Sequence, residues 1–185
     1  MIDDFVSDAT RRMDKSVESA AHEFNTVRTG RASAALLDRI QVDYYGTMTP
    51  LQQLATINVP EARLISVQPY DPSSIKAIER AILESDLGLT PSNDGKLIRL
   101  PIPQLTEERR KELVKVVRHL AEEGRVAVRN VRRDVMHDLK ELVRNGDVGD
   151  DEERRAEERI QKLTDEHVAK IEELLQRKEA EIMEV

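Results

Sequence analysis

Between Arg125 and Arg133 the chain carries four arginines and no acidic residue: Arg125-Val-Ala-Val-Arg129-Asn-Val-Arg132-Arg133. They lie inside a protein whose net charge is -7. At about 100° per residue, Lys111, Lys115, Arg118, Arg125, Arg129, Arg132 and Arg133 fall within roughly a 100° arc of one helix. The stripe Leu113, Val117, Leu120, Ala127, Val131, Val135 and Leu142 lies roughly 120° away, and only Glu122 intrudes on the basic side. An acidic protein that gathers cations in this way has the chemistry to hold a polyanion.

A charge run on a helix is usually a solvated face, so the contrast with the other helices matters. Glu107-Glu108-Arg109-Arg110-Lys111-Glu112 and Glu152-Glu153-Arg154-Arg155 mix signs, which is the solubilising pattern. Between Arg125 and Arg133 that mixing stops. The residues are also arginine, whose planar guanidinium suits phosphate forks and base stacking better than an ammonium does.

Chemistry of other kinds is poorly marked. The sequence has no Gly-rich phosphate loop, no Gly-x-Ser-x-Gly and no zinc spacing. Its four histidines, His22, His119, His137 and His167, are far apart on helical segments. His167 falls on an apolar stripe, the position of a hydrogen-bonded core residue. With 36 acidic residues, pairs of carboxylates carry no information about acid–base catalysis. The reading is a non-enzyme with no cofactor and no metal.

The elements that must position the arginines follow from periodicity. Ile2, Val6, Ala9, Met13, Val17, Ala20, Phe24 and Val27 recur at three and four, predicting a helix over residues 2–28. A second helix is predicted over 106–145, with Thr106 as its cap and Asn145-Gly146 as its stop. A third opens at Asp150-Asp-Glu-Glu153, an acidic cap, and continues through Ile160, Leu163, His167, Ile171, Leu174, Leu175 and Ile182. No single stripe stays dry alone, so a bundle of three long helices is expected.

Residues 31–104 read differently. Ile40-Gln-Val42-Asp-Tyr44, Leu54–Val59, Leu64–Val67 and Leu97–Leu100 read as strands, Tyr45-Gly46-Thr47 and Asn93-Asp-Gly95 as turns. Asp71-Pro72 opens a short helix with Ile75, Ile78, Ile82 and Leu83 on its apolar side. Six of the seven prolines lie between positions 50 and 101, where they would break long helices. The predicted class is α+β: a bundle formed by 1–30 plus 105–185, with a small β/α/β module, 31–104, inserted between its first and second helices. Two crossings, Thr29-Gly30-Arg31 and Gln104-Leu105, join them as a candidate hinge; a fixed connection is the alternative. The chain has no cysteine, no window of roughly 18 apolar residues, and an acidic N-terminus rather than a signal or transit peptide. A reducing, cytoplasmic home and no membrane are expected.

Asn25-Thr-Val-Arg28-Thr-Gly-Arg31-Ala-Ser33 resembles the end of the first helix and the first hinge of bacterial ribosome recycling factors. The resemblance continues, in order, through Asp43-Tyr-Tyr-Gly46, Thr49-Pro-Leu51, Ser85-Asp-Leu-Gly-Leu89, Ile98-Arg-Leu-Pro101, Leu105-Thr-Glu-Glu-Arg-Arg-Lys111 and Arg129-Asn-Val-Arg-Arg-Asp134. One departure is Ala34, where that family often has proline, so the entry to the middle module is less stiff.

The resemblance implies an L-shaped monomer of approximate tRNA dimensions that binds the large-subunit rRNA of the 70S post-termination ribosome. It implies splitting into subunits with elongation factor G and GTP, release of mRNA and deacylated tRNA, and a functional link to initiation factor 3. Arg129 and Arg132 match the family's rRNA-contacting arginines, with Arg28, Arg31 and Arg133 in support. Three rival classes stay open at this point: a scaffold protein, an enzyme, and a static ribosomal or hibernation component.

Overall fold

The computed structural model describes residues 1–184. The chain divides into two compact units: Met1–Thr29 with the chain from Glu107 onward, and Gly30–Thr106. Both crossing glycine and crossing leucine, Gly30 and Leu105, thus fall with the smaller unit.

The first unit holds α1 (Ile2–Asn25), α3 (Glu107–Arg144) and α4 (Asp150–Met183). At 1.5 Å per residue, α3 is about 57 Å long. Arg12 on α1 bonds Asp134 on α3 (3.0 Å), and Ala20 lies against Gly124, so these two helices run antiparallel. Arg118 meets Glu179 and Arg125 meets Glu172, so α3 and α4 are antiparallel as well. Asp3 with Arg159 and Asp14 with His167 make α1 and α4 parallel.

The seam is more small-sided than the sequence pattern implied. On α3 the buried line is Leu113, Val117, Ala121, Gly124, Val128, Val131, Val135 and Leu139. Leu120, Ala127 and Leu142, assigned to the stripe by periodicity, are only partly buried. Gly124 explains the shift. A Cβ there would stand 3.1 Å from both the Ala20 Cβ and the Ile171 Cδ1, so this residue is where all three helices close on one another. His167 is buried in the same unit: Nδ1 donates to the Leu163 carbonyl oxygen (2.6 Å), and Nε2 meets the Asp14 carboxylate (2.6 Å). It is a core residue that ties α4 to α1, as its place on the stripe implied.

Helix ends repay comparison with the expected signals. Helix α1 stops at Asn25, three residues before the predicted end. Helix α3 stops at a paired C-terminal lock: Gly146 (φ 81°) donates to the Val143 carbonyl oxygen and Asp147 to that of Leu142. The acidic cap expected for α4 is not a cap. Gly149 holds that position without a side-chain bond, and Asp150, Asp151, Glu152 and Glu153 sit in the first turn, where carboxylates complement the helix dipole.

The second unit has two antiparallel sheets. β1 (Gln41–Tyr44) pairs with β2 (Thr47–Pro50), and β3 (Ala55–Glu61), β4 (Leu64–Pro69), β5 (Ser92–Asn93) and β6 (Ile98–Pro101) form a sheet of order β3-β4-β6-β5. Tyr45 (φ 49°) and Gly46 (φ 83°) make the two-residue turn between β1 and β2. Helix α2 (Ile75–Glu84) buries Ile75, Ile78 and Ile82, while Leu83, expected on the same side, is exposed. Asp71 caps the turn ahead of α2 by accepting from the Ser73 hydroxyl (2.7 Å) and amide (3.0 Å); these bonds, with a third from the Tyr44 hydroxyl (3.0 Å), lower its pKa. Asp94 accepts from the Lys96 and Leu97 amides and is held down to about 2, fixing the β5–β6 turn.

Replacing Gly124 by leucine should destabilise the bundle by about 2 kcal/mol or more, because overpacking a closed seam moves backbone. Chemical denaturation followed by circular dichroism measures it.

Candidate nucleic-acid interface

The arginines of α3 are placed by the packing just described. With Val128, Val131 and Val135 buried against the other helices, Arg129 and Arg133 project from the far side, and Arg125 and Arg132 flank the α4 seam. Their environments differ sharply.

Arg118 and Arg125 are held by carboxylates. Arg118 Nε donates to Glu179 Oε1 at 2.7 Å. Arg125, whose side chain is only 18% exposed, donates to Glu172 from Nη1 and lies 2.8 Å from Glu122 through Nη2. Lys111 sits 3.6 Å from Glu107. The expectation that Glu122 alone interrupts the basic side therefore needs correcting: α4 supplies Glu172 and Glu179, which a single helical wheel does not display.

What is left is a shorter cationic surface. The Arg129 side chain is 49% exposed and stands 3.7 Å from Glu122, its one carboxylate neighbour among the described residues. Arg132 Nη1 donates to the Gln161 side-chain oxygen at 3.0 Å, a neutral acceptor, and its Nε is buried without a hydrogen-bond partner among the described residues. Arg133 is exposed and makes no ion pair among the described residues. Three guanidiniums within two helical turns thus retain much of their charge. Such a surface supplies directed N–H donors to anionic oxygens, which is the chemistry of phosphate contact.

Arg28 does not join this cluster. Since Ala20 lies opposite Gly124, the end of α1 at Asn25 is level with α3 near residue 119, roughly 15 Å along the axis from Arg129. Arg28 follows that end, and Arg31 belongs to the smaller unit. Gln161 went unnoticed in the sequence. Its signal was a spacing: Arg118, Arg125 and Arg132 recur every seven residues, as do Asp165, Glu172 and Glu179 on α4, the pattern of facing helices.

No group of three His, Asp or Glu side chains among the described residues is placed to hold a metal. No helix among them is long and apolar enough to cross a membrane.

A helical bundle with guanidiniums on one helix and an inserted α+β unit has the build of a polyanion-binding protein, and relatives make that class specific: a translation factor. Residues 20–183 match the family described as "Ribosome recycling factor". The chain belongs to the ribosome recycling factor family. It is 61% identical over 180 residues to the ribosome-recycling factor of Rubrobacter xylanophilus, covering 97% of each chain. To that of Bacillus subtilis it is 55% identical over 185 residues, covering all of both. Among solved structures it resembles the solution structure of a ribosome recycling factor (TM-score 0.77, 45% identity, 100% of this chain and 98% of that one). It also resembles the Thermus thermophilus ribosome recycling factor described with Escherichia coli elongation factor G bound to the Escherichia coli post-termination complex (TM-score 0.65, 47% identity, 100% of both).

The two kinds of arginine should separate in stability measurements. Arg125→Ala should cost about 1 kcal/mol, having lost two carboxylate partners and a partly buried stem. Arg133→Ala should stay within about 0.5 kcal/mol of the parent. Urea unfolding of both variants tests the difference.

Proposed function

We propose that this protein recycles ribosomes after translation termination. It binds the post-termination 70S ribosome through Arg129, Arg132 and Arg133 on α3, which meet phosphates of large-subunit rRNA. With elongation factor G and GTP it then splits the ribosome into subunits, freeing mRNA and deacylated tRNA, and initiation factor 3 keeps the subunits apart. It acts as a cytoplasmic monomer and performs no bond chemistry of its own; GTP hydrolysis belongs to the partner. The observation that carries this reading is the agreement between family membership over the full described length and cations on α3 of which Arg132 is held by a neutral amide and Arg129 has a single carboxylate neighbour among the described residues.

The role assigned to the arginines is positional. Phosphate contacts fix where a rigid body sits on RNA without reading sequence. A bundle closed at Gly124 has little give, so force delivered to it is passed on rather than absorbed. The net charge of -7 over the whole protein opposes indiscriminate adhesion to RNA. Arg28, which follows the end of α1, and Arg31, in the smaller unit, act as supporting rRNA contacts.

We assign the hinge to Thr29-Gly30-Arg31 and Gln104-Leu105. Gly30 has φ 76°, a backbone region that side-chain-bearing residues enter at a cost, and an added Cβ would stand 3.0 Å from Leu105 Cγ. The two strands of the crossing therefore touch at the residue where freedom is greatest.

Dissociation of post-termination ribosomes by this protein together with elongation factor G and GTP, followed by light scattering, tests the function directly. No splitting above the level seen with elongation factor G alone would refute it. Arg132→Ala should weaken ribosome binding about tenfold at about 0.1 M salt while changing fold stability by less than about 1 kcal/mol. Pelleting across a salt series reads the first, thermal unfolding the second. Gly30→Ala should strain the smaller unit by about 1–2 kcal/mol and slow subunit splitting with binding retained; unaltered splitting rates would remove the hinge assignment.

A further inference from the structure

The α3–α4 seam is built as a ladder. Arg118 faces Glu179, and seven residues on, Arg125 faces Glu172. A further seven residues bring Arg132 level with Asp165, which is the third rung of the same antiparallel register. That ion pair is not made. Gln161, one turn before Asp165 on α4, stands between them: its Nε2 donates to Asp165 Oδ1 (2.9 Å) and its Oε1 accepts from Arg132 Nη1 (3.0 Å).

We propose that Gln161 is a positioning residue that keeps the Arg132 guanidinium oriented but uncompensated, ready for a ribosomal phosphate. The inference rests on the reading of Arg132 as an rRNA contact. The physical argument compares two ways of holding an arginine. A carboxylate fixes the side chain but cancels its charge, so a phosphate must displace that carboxylate before it gains anything. An amide oxygen fixes the same fork with a neutral acceptor, so side-chain entropy is lost on folding and the charge survives. Gln161 does both parts of this task at once, since its other end occupies the Asp165 carboxylate that the register aims at Arg132. The buried Nε of Arg132, which has no hydrogen-bond partner among the described residues, leaves the head group held by position rather than saturated with bonds. Arg118 and Arg125, on the two completed rungs, have no such intermediary; they fasten the helices together, while the third rung is left for a ligand.

The test uses the full chain and intact 70S ribosomes, pelleted over a range of salt. Gln161→Glu restores an ion pair to the rung without changing side-chain size. It should weaken binding about tenfold and flatten the slope of log affinity against log salt by about 0.7–0.9, one phosphate contact, with thermal stability kept. Gln161→Met, neutral but unable to hydrogen-bond at its tip, should lose only about two- to threefold and keep the slope, since orientation is lost and charge is not. In an Arg132→Ala background, Gln161→Glu should change affinity by less than about twofold, because its target is gone. Equal losses in the two backgrounds, or parental affinity and slope for Gln161→Glu while Arg132→Ala is impaired, would overturn the assignment of Gln161. Parental binding by Arg132→Ala itself would instead overturn the reading beneath it, so the two failures are distinguishable.

Discussion

The close approach of the three long helices at Gly124 sets the terms for the arginines on the bundle's surface. Without a side chain there, α3 sits near enough to α1 for contact with Ala20 and to α4 for contact with Ile171. That proximity brings long side chains on α3 within reach of carboxylates on α4. Which cations remain available to a partner is thus decided by packing. Arg118 and Arg125 are drawn into the seam, whereas Arg129 and Arg133, on the far side of the same turns, are not. Surface electrostatics and core geometry are one problem in a slender bundle, because long side chains such as Arg118 and Arg125 reach the neighbouring helix.

This also accounts for how an acidic protein comes to suit an anionic target. Net charge describes the field at long range, which salt screens within about 10 Å at 0.1 M. At contact distance the local arrangement governs, and there the guanidiniums of α3 outnumber the carboxylates that reach them. An arginine bound to an amide and an arginine bound to a glutamate count alike in the net charge. To a phosphate they are different objects.

Much of the architecture was legible because long amphipathic helices write their burial into spacings of three and four. Ile160, His167, Ile171 and Ile182 were placed on the inner side of α4 and are buried there. The Tyr45-Gly46 turn was legible too, from residue types that tolerate positive φ. The second strand of that hairpin, Thr47–Pro50, was not. It is an edge strand whose one large apolar side chain, Met48, is exposed and whose burial does not alternate, so its pairing with Gln41–Tyr44 is dictated by the turn. Leu83 was misplaced because one apolar residue beside a stripe looks like part of it. At the site, the arginines themselves were visible, but their partners were not. Glu172, Glu179 and Gln161 lie on another helix, and a wheel drawn for α3 has no place for them.

The insertion leaves its mark on how the molecule must assemble. Helix α1 and its partners are separated in sequence by residues 30–106, and a flexible tether of that length would set back their meeting by on the order of 4 kcal/mol of chain entropy. The tether is not flexible once folded, since Gly30 and Leu105, at its two ends, are in contact. A folded insert therefore delivers α1 to the bundle with the loop already closed, and an unfolded one withdraws it. The two units, each with a core of its own, are in this sense thermodynamic dependants: loss of order in the lesser one is felt as a weaker hold on the first helix of the greater.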